Sequence, residues 1–294
     1  MKRWFQLIVV SLLLGGCGKP PSAPIPPEEA RRVVSLAPSL TECVYAVGAG
    51  DRLVGVSSFC TYPEEATSLP RIGGYTDTNY ERIYTLQPDL VVLLPEHADA
   101  RARLQALDIP YLQVDTFTIH DILATLRTFG EAFGTEEMAQ RVADDLEERI
   151  SAIRTATQDA PKRAVLVSIG RGNDNLAQVY AAGRGTLYDE MLEIAGASNV
   201  YGGSLEYAPI SRESIMRLNP ETIIDLLPDL EKRGGKTAQQ ATHDWDFLPG
   251  VAAVKNGQVH VFTDEYVCIP GPRFILTLEQ IAHAIHPECF GATP

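Results

Sequence analysis

The stretch NYERIYTLQPDLVV at residues 79–92 returns without a gap as SRESIMRLNPETII at 211–224. The copies share Glu81/Glu213, Ile83/Ile215, Leu86/Leu218, Pro88/Pro220, Asp89/Glu221 and Val91/Ile223. Each reads as one supersecondary unit, too short for a solenoid period. A Glu opens a helical turn, apolar residues three apart face inward, and a proline followed by an acid stops the helix before a buried strand. The expected fold is therefore α/β: two similar lobes, each built around one copy.

The remaining chain fits that plan. RVVSLAP (32–38), LVGVSSF (53–59), DLVVLLP (89–95) and YLQVD (111–115) are apolar, β-rich runs separated by helical patterns at 39–50 and 100–110. Such alternation predicts a mostly parallel sheet with helices on its faces. From Glu136 to Thr157 there is no Gly or Pro, and Met138, Val142, Leu146, Ile150 and Ile153 recur at helical spacing. A helix of ~22 residues is ~33 Å long, about the width of a small domain, and would make a rigid bridge. Beyond it RAVLVSIG (163–170), TIIDLLP (222–228) and QVHVFT (258–263) repeat the alternation, which closes on a helix near 272–286. The expected boundaries are a first lobe at 32–135, a bridging helix at 136–158 and a second lobe at 159–290.

Ahead of the lobes stand Lys2 and Arg3, an apolar run from Leu7 to Leu14, and LGGC ending at Cys17. The pattern is a secretory signal whose apolar run is too short to span a bilayer. Its ending resembles the bacterial lipoprotein signal, which implies a signal peptide at 1–16 and lipidation of Cys17. Residues 17–31, rich in proline and small side chains, form a flexible tether. The resulting localisation is the cell envelope, held at a membrane surface by lipid and facing the periplasm or exterior.

A formal charge of −13 gives no basic patch for nucleic acid. Cys43, Cys60, Cys268 and Cys289 permit three disulfide pairings in an exported protein, and nearness in sequence favours Cys43 with Cys60. No CxxC, GxSxG, HExxH or GxxxxGK[ST] occurs, and GRGNDN lacks the third glycine of a dinucleotide loop. A non-catalytic protein without a cofactor or bound metal of its own is expected; the competing class is an exported α/β hydrolase or metal-binding enzyme.

The lipoprotein start, together with RVVSLAPSLTE, DRLVGVSSFCTYP, LPRIGGYTDTNYERIYTLQPDLVV, ISRESIMRLNPE and PGPRFILTLEQIAHAIHPE, resembles the helical-backbone class of substrate-binding proteins. These serve ATP-driven importers of cobalamin, ferric siderophores and haem. The resemblance implies capture of a metal chelate between the lobes, with cobalamin or a related corrinoid first and siderophore or haem as alternatives. The implied partners are a permease dimer and its ATPase subunits. Equivalent positions for Glu81 and Glu213 suit a two-fold symmetric partner, and the resemblance implies that each enters a basic pocket on one permease subunit.

In open α/β folds ligands gather at the carboxyl ends of the strands. Phe59, Tyr62, Tyr75, Tyr180, Tyr207, Asp264 and Tyr266 fall in those loops. Aromatics suit a large flat ligand because they bury area at little rotamer cost. The resemblance places Phe59, Tyr75, Tyr180, Tyr207 and Asp264 among the contact residues of cobalamin binders. His97 is a further candidate, in the cleft or as a ligand to the cargo's metal, or else an exposed loop histidine; Arg171 would meet an anionic ligand edge or solvate a loop. His243, His260, His283 and His286 share no ligand spacing, and the last two sit where histidine caps a helix end.

Overall fold

The computed structural model describes residues 30–291 except 173–175, 204, 231 and 233–234. The leader, Cys17 and nearly all of the tether lie outside the described residues.

The first sheet comprises β1 (Val33–Ser35), β2 (Leu53–Val56), β3 (Leu90–Leu93) and β4 (Tyr111–Gln113) in the order β2-β1-β3-β4, all parallel. Helices α1 (Pro38–Ala46), α2 (Tyr80–Thr85) and α3 (Ala98–Ala106) connect its strands. The second sheet holds β5 (Arg163–Arg171), β6 (Val179–Ala182), β7 (Ala197–Asn199), β8 (Tyr207–Ile210), β9 (Thr222–Leu226) and β10 (Val259–Phe262). Its parallel strands run β7-β5-β9-β10, which repeats the first sheet's order, and an antiparallel pair, β6 and β8, extends β5 at its far end. This added pair makes the second sheet mixed.

The repeated segment sits at the same place in both sheets. Asn79 and Ser211 cap α2 and α7 (Arg212–Leu218), accepting from the N–H of Arg82 and Ser214. Gln87 and Asn219 both take φ of 46°, a left-handed conformation that ends the helix before the proline. The acid that follows then ties the unit to its lobe's first strand. Asp89 accepts the N–H of Arg31 (2.8 Å) and Arg32 (3.0 Å), and Glu221 that of Ala164 (2.9 Å).

Two long helices join the lobes. α4 (Ile119–Phe133) opens with a capping box between Thr118 and Asp121 and ends at Gly134, which has a φ of 63°. α5 occupies Glu136–Thr157, as the apolar spacing predicts. The two pack closely at Gly130, where a Cβ would sit 2.5 Å from that of Ala139. α6 (Leu187–Ile194), and α10 (Phe274–Ile285), which follows the short α8 (Ala238–Thr242) and α9 (Ala252–Lys255), pack against α5 from the second lobe. One continuous core consequently runs from Val33 and Val92 through Leu126, Phe129, Leu146 and Ile153 to Val167 and Ile224. The outer face of each sheet has its own smaller core, containing Ile83 in one lobe and Ile215 in the other.

The cysteine expectation is corrected here. Cys43 and Cys60 are both buried and unbridged; Cys60 Sγ lies 3.1 Å from Thr41 Oγ1 instead, and no disulfide joins the described cysteines. Burial pushes the Cys43 thiol up and the Cys60 thiol up to about 11.

A buried ion pair also crosses between lobes. Arg273, just before α10, donates to both carboxylate oxygens of Glu42 on α1 (2.7 and 3.0 Å) and to Glu265 (2.7 Å). Its guanidinium lies 3.7 Å from the centroid of the Tyr62 ring. Burial raises the Glu42 pKa, and the hydrogen bonds and charge of Arg273 oppose that rise. Arg273→Ala would strand the Glu42 carboxylate, 3% exposed, and is expected to cost ~3–5 kcal/mol. Glu42→Leu with Arg273→Met should recover most of that in urea unfolding. An unchanged midpoint for the single variant would show that the pair does not hold the lobes.

Candidate ligand cleft

The carboxyl ends of both sheets face the space between the lobes, where two hollows share the loops 59–62 and 263–270. The first is apolar and about 210 Å³, formed by Leu36–Ser39 after β1, Phe59 after β2, Tyr75, His97 after β3, and Cys268–Pro270 crossing from the second lobe. The second is polar and about 390 Å³, lined by Tyr62, Asp229, Lys232, Asp264, Tyr266 and Arg273.

Phe59 and Tyr75, 65% and 53% exposed, line the apolar hollow. Tyr75 leans on His97, ring centroids 4.9 Å apart, and its hydroxyl donates to the Glu96 carbonyl (3.0 Å). Tyr62, Asp264 and Tyr266 belong to the polar hollow, where Gln280 donates to Asp264 (2.9 Å) and to the Tyr266 hydroxyl (2.9 Å). Tyr180 and Tyr207 line neither hollow. They sit diagonally on one face of the antiparallel β6–β8 pair, and burial, Glu206 and Cys268 push the Tyr207 phenol up to about 12. Glu81 and Glu213 lie outside both hollows, exposed in the first turns of α2 and α7.

Of the two positions read for His97, cleft or surface loop, the structure gives the cleft: it is buried in the wall of the apolar hollow, and burial lowers its pKa. Its Nδ1 accepts the Leu94 N–H (3.2 Å), which puts the proton on Nε2 and leaves no lone pair there for a metal. Arg171 neither meets a ligand nor solvates a loop. It is 6% exposed, donating to Asp225 (2.7 Å) and paired with Asp244 (2.9 Å), while Asp225 also accepts from Ser168 and Trp245. That network braces the second sheet.

The cleft's charge balance depends on the same kind of pairing. Among the described residues of the polar hollow, Lys232 is paired with Asp229 (2.7 Å) and Arg273 with Glu42 and Glu265, so both cations are already engaged. Asp229, Lys232, Arg273 and the Cys268–Pro270 segment are absent from the sequence-based list of site residues. The Pro-Gly-Pro before Arg273, which throws the chain back across the lobes, is the signal that marks them. At the opposite end of the second sheet, ligand atoms of His286, Glu288 and Cys289 lie within 4.8 Å of one another, a grouping that residue spacing did not reveal. There His286 Nδ1 lies 3.2 Å from Glu288, which adds an ion-pairing partner to the helix-end position.

Known proteins resemble this chain along nearly its whole length. It is 28% identical to an uncharacterized ABC transporter substrate-binding lipoprotein, YvrC, of Bacillus subtilis, over 98% of this chain and 97% of that one. It is 30% identical to the vitamin B12-binding protein of Pectobacterium carotovorum, over 85% and 87%. Among solved structures, the periplasmic haem-binding protein RhuT of Roseiflexus superposes with a TM-score of 0.75 at 26% identity, covering 88% of this chain and 99% of RhuT. The vitamin B12-binding protein BtuF of Vibrio cholerae gives 0.73 at 25%, covering 88% and 98%. The sequence pattern of the periplasmic binding protein family matches residues 33–266, and the chain belongs to that family.

Proposed function

We propose that this protein is the non-catalytic receptor of an ABC importer, capturing cobalamin or a related corrinoid between its lobes and delivering it to a permease dimer with ATPase subunits. The observation that carries the reading is the cleft itself: Phe59, Tyr62 and Tyr75 of the first lobe stand in two adjoining hollows whose facing walls are Cys268–Pro270 and Asp264–Tyr266 of the second. In the same reading the first 16 residues are a signal, Cys17 is lipidated, and the tether sets the lobes at a membrane surface. Among the described residues no helix is long and apolar enough to cross a membrane.

A corrinoid suits the cleft on two counts. Its broad face matches rings that bury area cheaply. Its periphery of neutral amides needs no unpaired cation, whereas the carboxylates of haem would meet Asp229, Asp264 and Glu265 beside cations already engaged. Haem or a ferric siderophore is the second reading, favoured by the similarity to RhuT. We assign ligand contact to Phe59, Tyr62, Tyr75, Tyr180, Tyr207, Asp264 and Tyr266, with no metal ligand from the protein.

The test is to purify the chain from residue 18, mix it with cobalamin, haem and several ferric siderophores, and follow co-eluting colour. Cobalamin should co-elute, and Tyr75→Ala and Tyr207→Ala should each weaken its binding by about 1 kcal/mol or more. Retention of haem or a siderophore in its place would select the second reading. Full affinity in both folded variants would put the ligand elsewhere.

We also propose Glu81 and Glu213 as docking posts, one per lobe, each meeting a basic pocket on one permease subunit. Truncating one side of a desolvated charged pair costs ~2–5 kcal/mol, so Glu81→Ala and Glu213→Ala should each impair importer binding, and the double variant more so. Cobalamin titration of the free protein should be unaffected. Normal importer binding by the double variant would return both residues to the ordinary role of acids in a first helical turn.

A further inference from the structure

The repeated segment contains more than the fold requires. The fold accounts for most of the paired positions. Asn79 and Ser211 cap the helices, Ile83 and Ile215 are fully buried, Gln87 and Asn219 turn the chain, and Asp89 and Glu221 fasten it to the first strand of each lobe. Three other paired positions are exposed in both copies: Glu81/Glu213, Thr85/Arg217 and, three residues on from the glutamates, Tyr84/Met216, large apolar side chains that are 63% and 48% exposed.

Residues i and i+3 are neighbours on a helix surface, so each lobe presents a carboxylate beside an apolar knob. The buried isoleucine between them in sequence turns to the sheet and fixes which way the pair faces. A single exposed apolar residue is ordinary. The same combination at equivalent positions of both lobes is harder to explain by packing, because it recurs where internal contacts do not demand it. Neither Tyr84 nor Met216 lines either hollow of the cleft.

We propose that Tyr84 and Met216 are the apolar halves of two matched docking elements, received by a partner with two equivalent surfaces, each an apolar socket beside a cation. The partner is the membrane-spanning permease dimer. The inference rests on the docking role proposed for Glu81 and Glu213 and extends it. Two exposed carboxylates on an acidic chain call for a basic partner, and two equivalent elements call for a two-fold one. A tyrosine supplies a rigid ring and a methionine an adaptable thioether, both suited to a socket that desolvates the neighbouring ion pair.

The experiment uses the full chain in its native host, with a photo-crosslinking benzoyl-phenylalanine placed at 84 or 216, and at the exposed Leu107 and Phe247 as controls. Positions 84 and 216 should crosslink to one and the same membrane-spanning protein, and the controls should not. In co-purification with that protein, Tyr84→Ser and Met216→Ser should each weaken the complex about tenfold, and the pair more, with cobalamin binding by the free chain unchanged. Crosslinks to different proteins, to a second copy of this chain, or to nothing would overturn the proposal. Wild-type complex formation by Tyr84→Ser/Met216→Ser, with Glu81→Ala/Glu213→Ala defective, would overturn it while leaving the glutamate posts standing. Wild-type behaviour of both double variants would overturn the two together.

Discussion

The continuous apolar core through α4, α5 and α10 is the constraint on which the rest depends. Two lobes linked by loops would leave their relative angle to chance, and any ligand would have to supply the cost of fixing it. Here Leu126, Phe129, Leu146 and Ile153 belong to the same packed cluster as the first strands of both lobes. Close-packed interiors resist deformation, so the distance between facing strand ends is set at folding. The cleft is therefore largely preorganised, which reduces the ordering cost of binding.

Polar contacts reinforce this arrangement at the edges of the core. Arg273 joins Glu42 of the first lobe to Glu265 of the second and supports the Tyr62 ring, so one guanidinium holds the lobes and shapes the polar hollow. The Glu190 carboxylate of α6 accepts the Ile119 N–H at the start of α4 (2.8 Å), a second tie to the second lobe. Arg171, buried with Asp225, performs a comparable bracing within the second sheet. A cation so deeply paired costs more to free than a ligand's carboxylate would return, which is why these arginines serve architecture rather than recognition.

Much of the architecture was legible in local pattern. The uninterrupted helical spacing of 136–157 and the two copies of one helix-to-strand unit predict α5 and the equivalence of α2 with α7. The aromatic loop residues were legible as candidates because Phe59 closes the second strand's run and Tyr75 stands in the loop ahead of α2, where ligands of such folds gather. What local pattern does not carry is long-range partnership. Arg171 reads from sequence as a loop cation after a strand, and only the fold brings Asp225 to it; His97 could be read for the cleft or for the surface, and only the contacts with Tyr75 and Leu94 decide between them. The antiparallel β6–β8 pair went unread for a related reason, since strands of four residues give too short an alternation to distinguish from a loop.

The claim that the cleft is held open by a shared core, and not closed by the ligand, is tested most directly by solution scattering of the soluble chain with and without saturating cobalamin. The lobes should shift by a few degrees, changing the radius of gyration by less than about 1 Å. A contraction of several ångströms would mean that the lobes close on their cargo as hinged domains do, and would contradict the account.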